Sequence, residues 1–192
     1  MTTNRQSAVT PERYSSGLTF KEYMAKIERN KEKFEFNYQE TSVSEEDAQA
    51  LRTLAARPDG PAKVLALGED WCPDVFRGMP VMARIAEAAG LEMRVFPRDE
   101  NEDIMNEFLN RGEHPSIPTF VFYTSDQKYL AHWIERPAKA NWERDLQAKI
   151  FEGRSREEGM ADYDKFQQGE VWASWREATV KEIVELLTAI YQ

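Results

Sequence analysis

The residue best suited to nucleophilic chemistry is the lone Cys72, in the run Gly68-Glu69-Asp70-Trp71-Cys72-Pro73-Asp74-Val75. A continuous apolar stretch, Val64-Leu65-Ala66-Leu67, precedes it, and Val75, Phe76, Met79, Met82, Ala83 and Ala86 follow at helical spacing. The thiol therefore belongs to a strand-to-helix turn. Pro73 suits the first helical position, where its missing N–H costs nothing. Amides and the dipole at a helix N-terminus favour a thiolate, and cysteines so placed reach pKa values of about 3.5–7.5. Glu69, Asp70 and Asp74 oppose this by like-charge repulsion, while Arg77, about one turn along, offsets part of it. The expectation is a modestly lowered thiol pKa, tuned by Asp74 and Arg77. No second cysteine occurs in the 192 residues, which excludes an internal disulfide. With only His114 and His132 beside one cysteine, a structural zinc set of Cys and His is out of reach, and no metal is expected.

The elements that must position this turn can be read from periodicity. Residues 1–17 are polar, with Pro11 and Gly17, and read as a loose tail. Thr19 and Glu22 form a capping-box pattern ahead of Phe20, Tyr23, Met24, Ile27, Phe34 and Tyr38, which predicts an amphipathic helix. Ser44 starts a second helix, ended by Pro58-Asp59-Gly60-Pro61. Val64–Leu67 has the composition of a strand buried on both faces. The helix from Pro73 to Ala89 contains Pro80, which predicts a kink, and Gly90 closes it. Leu91–Phe96 alternates as a strand, and Ile104, Met105, Phe108 and Leu109 mark a short helix. Thr119–Tyr123 and Lys128–Ile134, joined by Ser125-Asp126-Gln127, predict a hairpin. A helix with Trp142, Leu146 and Ile150 follows, then a charged, Gly-punctuated connector or weak helix over 152–169. Trp172, Trp175, Thr179, Ile183, Leu186 and Ile190 trace a closing helix, with both tryptophans in the core. A βαβ unit followed by a hairpin gives a mixed sheet with helices on its faces.

That order, with Trp71-Cys72-Pro73-Asp74 and the downstream Ser116-Ile117-Pro118-Thr119-Phe120, resembles the thioredoxin family. The resemblance implies an α/β fold, a thioredoxin-like mixed β-sheet flanked by helices, over residues 61–150. Residues 1–60 then form an N-terminal tail and helical extension, and 151–192 a C-terminal connector and helix packing on the core. It also implies that Pro118 is cis and abuts the sulfur of Cys72. A cis X-Pro bond costs only about 0.5–1 kcal/mol over trans. Two positions depart from the family pattern. Val75 stands where the second active-site cysteine falls, and Ala66 where a buried acid often sits. The first change removes the resolving thiol and the second a proton relay.

A thiolate without a resolving partner can still attack a disulfide, provided another molecule's thiol releases it. The resemblance thus implies monothiol chemistry. Cys72 forms mixed disulfides with a protein disulfide or small thiol substrate. Trp71, Pro73, Ile117, Pro118 and Thr119 form the substrate groove, no resident cofactor is needed, and a low-molecular-weight thiol such as glutathione serves as co-substrate. Two readings compete with it. One is a redox-inactive binding module that uses the cis-proline groove or the helical extensions to hold a partner. The other is reversible dimerisation through a Cys72–Cys72 disulfide. Taken singly, Trp71 also suits packing under the turn, Arg77 a solvated helix face, and His114 a solvated loop.

Composition narrows the setting. A formal charge of −9 disfavours nucleic acid and anionic membranes, both of which need a Lys/Arg surface. The first 16 residues lack the apolar core of a signal peptide, and no apolar stretch approaches the about 20 residues that span a bilayer. One cysteine suits a reducing cytoplasm.

Overall fold

The structure, a computed structural model, describes residues 7–192. The tail expectation for residues 1–6 lies outside the described residues. Beyond them it fails, because α1 (Pro11–Ser15) starts at Thr10, whose side chain accepts the Arg13 N–H. Tyr14 of α1 is buried, and its hydroxyl donates to the Glu92 carbonyl at 2.6 Å. This buried aromatic and the reciprocal backbone pair between Leu18 and Val95 fasten the segment to the sheet.

The Thr19–Glu22 capping box is present and opens α2 (Phe20–Lys26). The single helix expected through Tyr38 is instead two, because α3 (Lys31–Gln39) starts only after Asn30 at φ 53°. Tertiary contacts stabilise the break. The Asp70 carboxylate accepts the Glu28 and Arg29 N–H groups at 3.2 and 3.0 Å, and the Asn30 amide donates to the Asp70 carbonyl. Ser44 caps α4 (Glu45–Ala55) as its sequence predicts.

The sheet is mixed, in the order β2-β1-β3-β4. β1 (Lys63–Gly68) runs parallel to β2 (Glu92–Pro97) and antiparallel to β3 (Thr119–Tyr123), which pairs antiparallel with β4 (Tyr129–Ile134). Central β1 is buried from Val64 through Gly68, which accounts for its unbroken apolar run. The helix α5 (Pro73–Ala89) runs through Pro80, with Val75, Phe76, Met79 and Met82 buried. Gly90 ends it at φ 72°, a conformation that suits glycine. Gly78 lets α5 approach the loop before β3: a Cβ there would lie 3.1 Å from Pro118 Cγ. After β2 the chain forms a 3-10 turn and then α6 (Glu102–Met105), shorter than the periodicity suggested.

The C-terminal part also differs from expectation. The helix predicted around Trp142 is two short ones, α7 (Ala138–Trp142) and α8 (Arg144–Ile150), and Trp142 is exposed. Of the two readings of the charged 152–169 segment, the helix holds: it is α9 (Arg156–Phe166), opened by a Ser155–Glu158 capping box. The closing helix α10 (Glu170–Ala189) buries Trp172 and Trp175, as their spacing predicted, whereas Ile190 is exposed. Both indole N–H groups find acceptors, Asn37 Oδ1 at 3.0 Å and Glu143 Oε2 at 2.7 Å. Among the described residues no helix is long and apolar enough to cross a membrane.

Candidate functional site

Cys72 is the N-cap of α5, and Pro73 occupies its first turn. The β1–α5 turn therefore presents the sulfur at the C-terminal edge of the sheet. From the other side comes the loop before β3, where the Ile117–Pro118 peptide is cis. The thiol donates to the Ile117 carbonyl, with Sγ 3.8 Å from that oxygen. Chain segments about 45 residues apart thus meet at one atom.

The electrostatics run opposite to the sequence expectation. Burial pushes the Cys72 thiol above its ordinary value, and the Asp74 carboxylate adds to the rise. The Val75 and Asp74 amides and the Arg136 guanidinium pull the other way without overcoming it. The helix-terminus amides do favour the thiolate, but desolvation, which disfavours a thiolate whenever the sulfur is covered, outweighs them.

Arg77 is likewise not where the sequence placed it. It is about 1% exposed rather than solvated, and its Nη2 pairs with Asp74 Oδ1 at 2.6 Å. Its guanidinium lies 4.8 and 5.3 Å from the ring centroids of Trp172 and Trp175. Arg77 therefore acts on Asp74 and ties α5 to α10. The cation that bears on the sulfur is Arg136, from the turn after β4, whose Nη2 lies 2.8 Å from Asp74 Oδ2 and which also pairs with Glu135. Sequence reasoning missed Arg136. The one hint was its place directly after the hairpin that Ile117-Pro118-Thr119 opens. The Glu135 N–H donates to the Pro118 carbonyl at 2.7 Å, which locks that turn against the same loop.

The expected groove residues divide into two groups. Trp71 is 44% exposed, with Arg98 5.7 Å from its ring centroid, so it does not pack under the turn. Cys72 and Pro73 are partly exposed. Ile117, Pro118 and Thr119 are buried, and the Thr119 hydroxyl is engaged with the Ser116 carbonyl at 2.8 Å. Their side chains are turned away from solvent, and all three lie in the loop that meets Cys72 at the Ile117 carbonyl. Pro73 also borders a largely apolar groove of about 360 Å³ with Gln147 from α8, Phe151 just after it, and Met160 and Tyr163 from α9. His114 is exposed, 3.8 Å from Glu113, and no contact joins it to the thiol.

The family model described as thioredoxin matches residues 17–148, which takes in α2–α4 as well as the whole sheet. No match was found among curated proteins. The fold is similar to that of a Pseudomonas aeruginosa protein of unknown function, with TM-score 0.65 and 15% identity over 92% of this chain and 95% of that one. It is equally similar to a solved HIV epitope-scaffold, with TM-score 0.65 and 15% identity over 96% of this chain and 99% of that one.

Proposed function

The chain belongs to the thioredoxin family, and on that premise we propose that it is a monothiol redox protein acting through Cys72. The observation that carries the reading is the placement of the partly exposed residue Cys72 at the α5 N-cap, its Sγ 3.8 Å from the carbonyl that leads into a cis proline. The chemistry is two-step exchange. The Cys72 thiolate attacks one sulfur of a substrate disulfide, forming a mixed disulfide and releasing the other sulfur as a thiolate that takes up a proton. A low-molecular-weight thiol such as glutathione, as thiolate, then attacks the mixed disulfide and regenerates Cys72. Electron flow balances because the external thiol ends as half of a new disulfide.

Val75 supplies no resolving sulfur, so release depends on that second molecule. A raised thiol pKa lowers the thiolate fraction at neutral pH but makes each thiolate more nucleophilic. The site therefore suits slow, selective exchange better than rapid general reduction. Substrate contact falls to Trp71 and Pro73, with Ile117, Pro118 and Thr119 shaping the wall behind the sulfur. A reducing compartment such as the cytoplasm, rich in small thiols, suits this cycle.

One observation favours a second reading. The same burial that raises the thiol suits a redox-silent binding module whose exposed Trp71 and apolar Pro73–Phe151 groove hold a partner. Trapping separates the two. Wild type and Cys72→Ser are exposed to cell extract and to oxidised glutathione, and adducts are read by mass spectrometry under non-reducing conditions. Thiol-linked partners or a glutathione adduct lost in Cys72→Ser support the monothiol reading. Identical partner sets from both proteins, without a glutathione adduct, overturn it.

A further inference from the structure

A second recess of about 480 Å³ lies beside the thiol turn, between α2, the end of β2 and the residues just before Cys72. Three carboxylates line it: Glu69, Asp70 and Glu100. Ion pairs are common elsewhere on this surface, yet among the described residues none of these three is within 4.0 Å of a Lys, Arg or His nitrogen. Glu69 and Asp70 accept only backbone N–H groups, from Asp99 and from Glu28 and Arg29. Lys26, the recess's one cation, makes no ion pair among the described residues.

The second observation is independent of charge. Tyr23 lines the same recess, is 3% exposed, and its hydroxyl has no hydrogen-bond partner among the described residues. A buried hydroxyl left unmatched is destabilising, so its position calls for a polar partner. Burial pushes the phenol up, and Asp70, Glu69 and Cys72 add to the rise, which sets all three close to it. Glu69 is itself raised, first by burial and then by repulsion from Asp99 and Asp70. The Asp99 N–H and the Arg98 guanidinium pull the other way without overcoming it.

We propose that this recess holds the arginine or lysine side chain of a protein substrate whose reacting sulfur lies at Cys72. The inference rests on the monothiol reading and adds a substrate class: cysteines flanked by basic residues. A guanidinium offers the carboxylates a planar fork of donors and leaves an N–H for the Tyr23 oxygen. The net charge of −9 steers basic partners towards the molecule at long range. Glu69 and Asp70, on the same turn as Cys72, turn that general attraction into a local one.

The test uses full-length protein and two readouts. In the first, short amidated peptides carrying cysteine as the mixed disulfide with thionitrobenzoate, and differing only in an Arg or Glu neighbour, react with the wild type at low salt. The Arg peptide is expected to react about fivefold faster or more. That ratio falls towards one in Glu69→Gln/Glu100→Gln but not in the control Glu35→Gln/Glu185→Gln, which removes the same charge from exposed positions elsewhere. In the second, Cys72→Ser is titrated by NMR with the same peptides bearing serine for cysteine. Saturable shifts at Tyr23 and the Glu69–Asp70 turn are expected with the Arg peptide only. Equal rates for the two peptides, an equal fall of the ratio in the control variant, or no selective NMR shift would each overturn the proposal. Selective binding by Cys72→Ser alongside an inert wild-type thiol would sustain the basic-ligand site and defeat the monothiol reading.

Discussion

Asp74 and Arg136 meet beside the thiol, with carboxylate and guanidinium 2.8 Å apart, while the other oxygen of Asp74 is held by buried Arg77 at 2.6 Å. The pair sets two opposing fields on one sulfur. Asp74 raises the Cys72 pKa and Arg136 lowers it, with burial the larger influence above both.

The alkylation rate of wild-type Cys72 should therefore climb with pH through a midpoint above the roughly 8.5 of a free thiol. The thiol ionises only as pH rises past its raised pKa, so reactivity is weakest on the acidic side. Iodoacetamide kinetics across pH check this. A midpoint at or below that of a small-molecule thiol would contradict the burial argument.

Asp74→Asn removes the like charge and should move that midpoint down. The same change leaves the Arg77 guanidinium buried without a carboxylate, at a cost of about 3 kcal/mol in stability. Urea unfolding followed by tryptophan fluorescence reads the second effect. A variant as stable as wild type would show that the Trp172 and Trp175 faces alone carry Arg77.

Arg136→Gln should act in the reverse sense. Loss of the cation lets the thiol pKa rise further, slowing alkylation at neutral pH by about threefold or more, whereas rates well above the midpoint converge with wild type. A uniform slowing at every pH would instead indicate a blocked sulfur.

Val75→Cys tests the missing resolving thiol. Residue 75 sits in the first turn of α5, and its N–H donates to the Cys72 carbonyl at 3.0 Å. Side chains so spaced on a helix lie about 5–6 Å apart at Cβ, a little beyond disulfide reach and within local adjustment. Mild oxidation should leave the variant with no titratable thiol, at a folding cost of about 1 kcal/mol for the smaller core side chain. Two thiols that still titrate after oxidation would show that the turn is too rigid to close.

Trp172→Ala should cost about 3–5 kcal/mol. The indole is about 1% exposed, packs 6.1 Å from the Phe76 ring centroid, covers the Arg77 guanidinium and donates to Asn37. The urea midpoint measures the loss, and a loss below about 1 kcal/mol would mean that α10 is not an integral part of the core.

Local signals in the sequence determined the strand before the thiol, the helix after it, the closing Gly90, the Thr19–Glu22 capping box, the Ser44 helix start and the hairpin, because each depends on residues a few positions apart. The same short range explains where the reading stopped. Whether Phe20 to Tyr38 forms one helix or two depends on the Asp70 carboxylate, and whether Pro11–Ser15 is tail or helix depends on a sheet carbonyl that Tyr14 reaches. The chemistry of the site was less legible still. Helix-terminus amides are local to Cys72 and could be foreseen, but desolvation of the sulfur, the approach of Arg136 from beyond the hairpin and the burial of Arg77 between two indoles depend on distances through space. Coulomb fields and water exclusion follow those distances, and tertiary packing alone decides them.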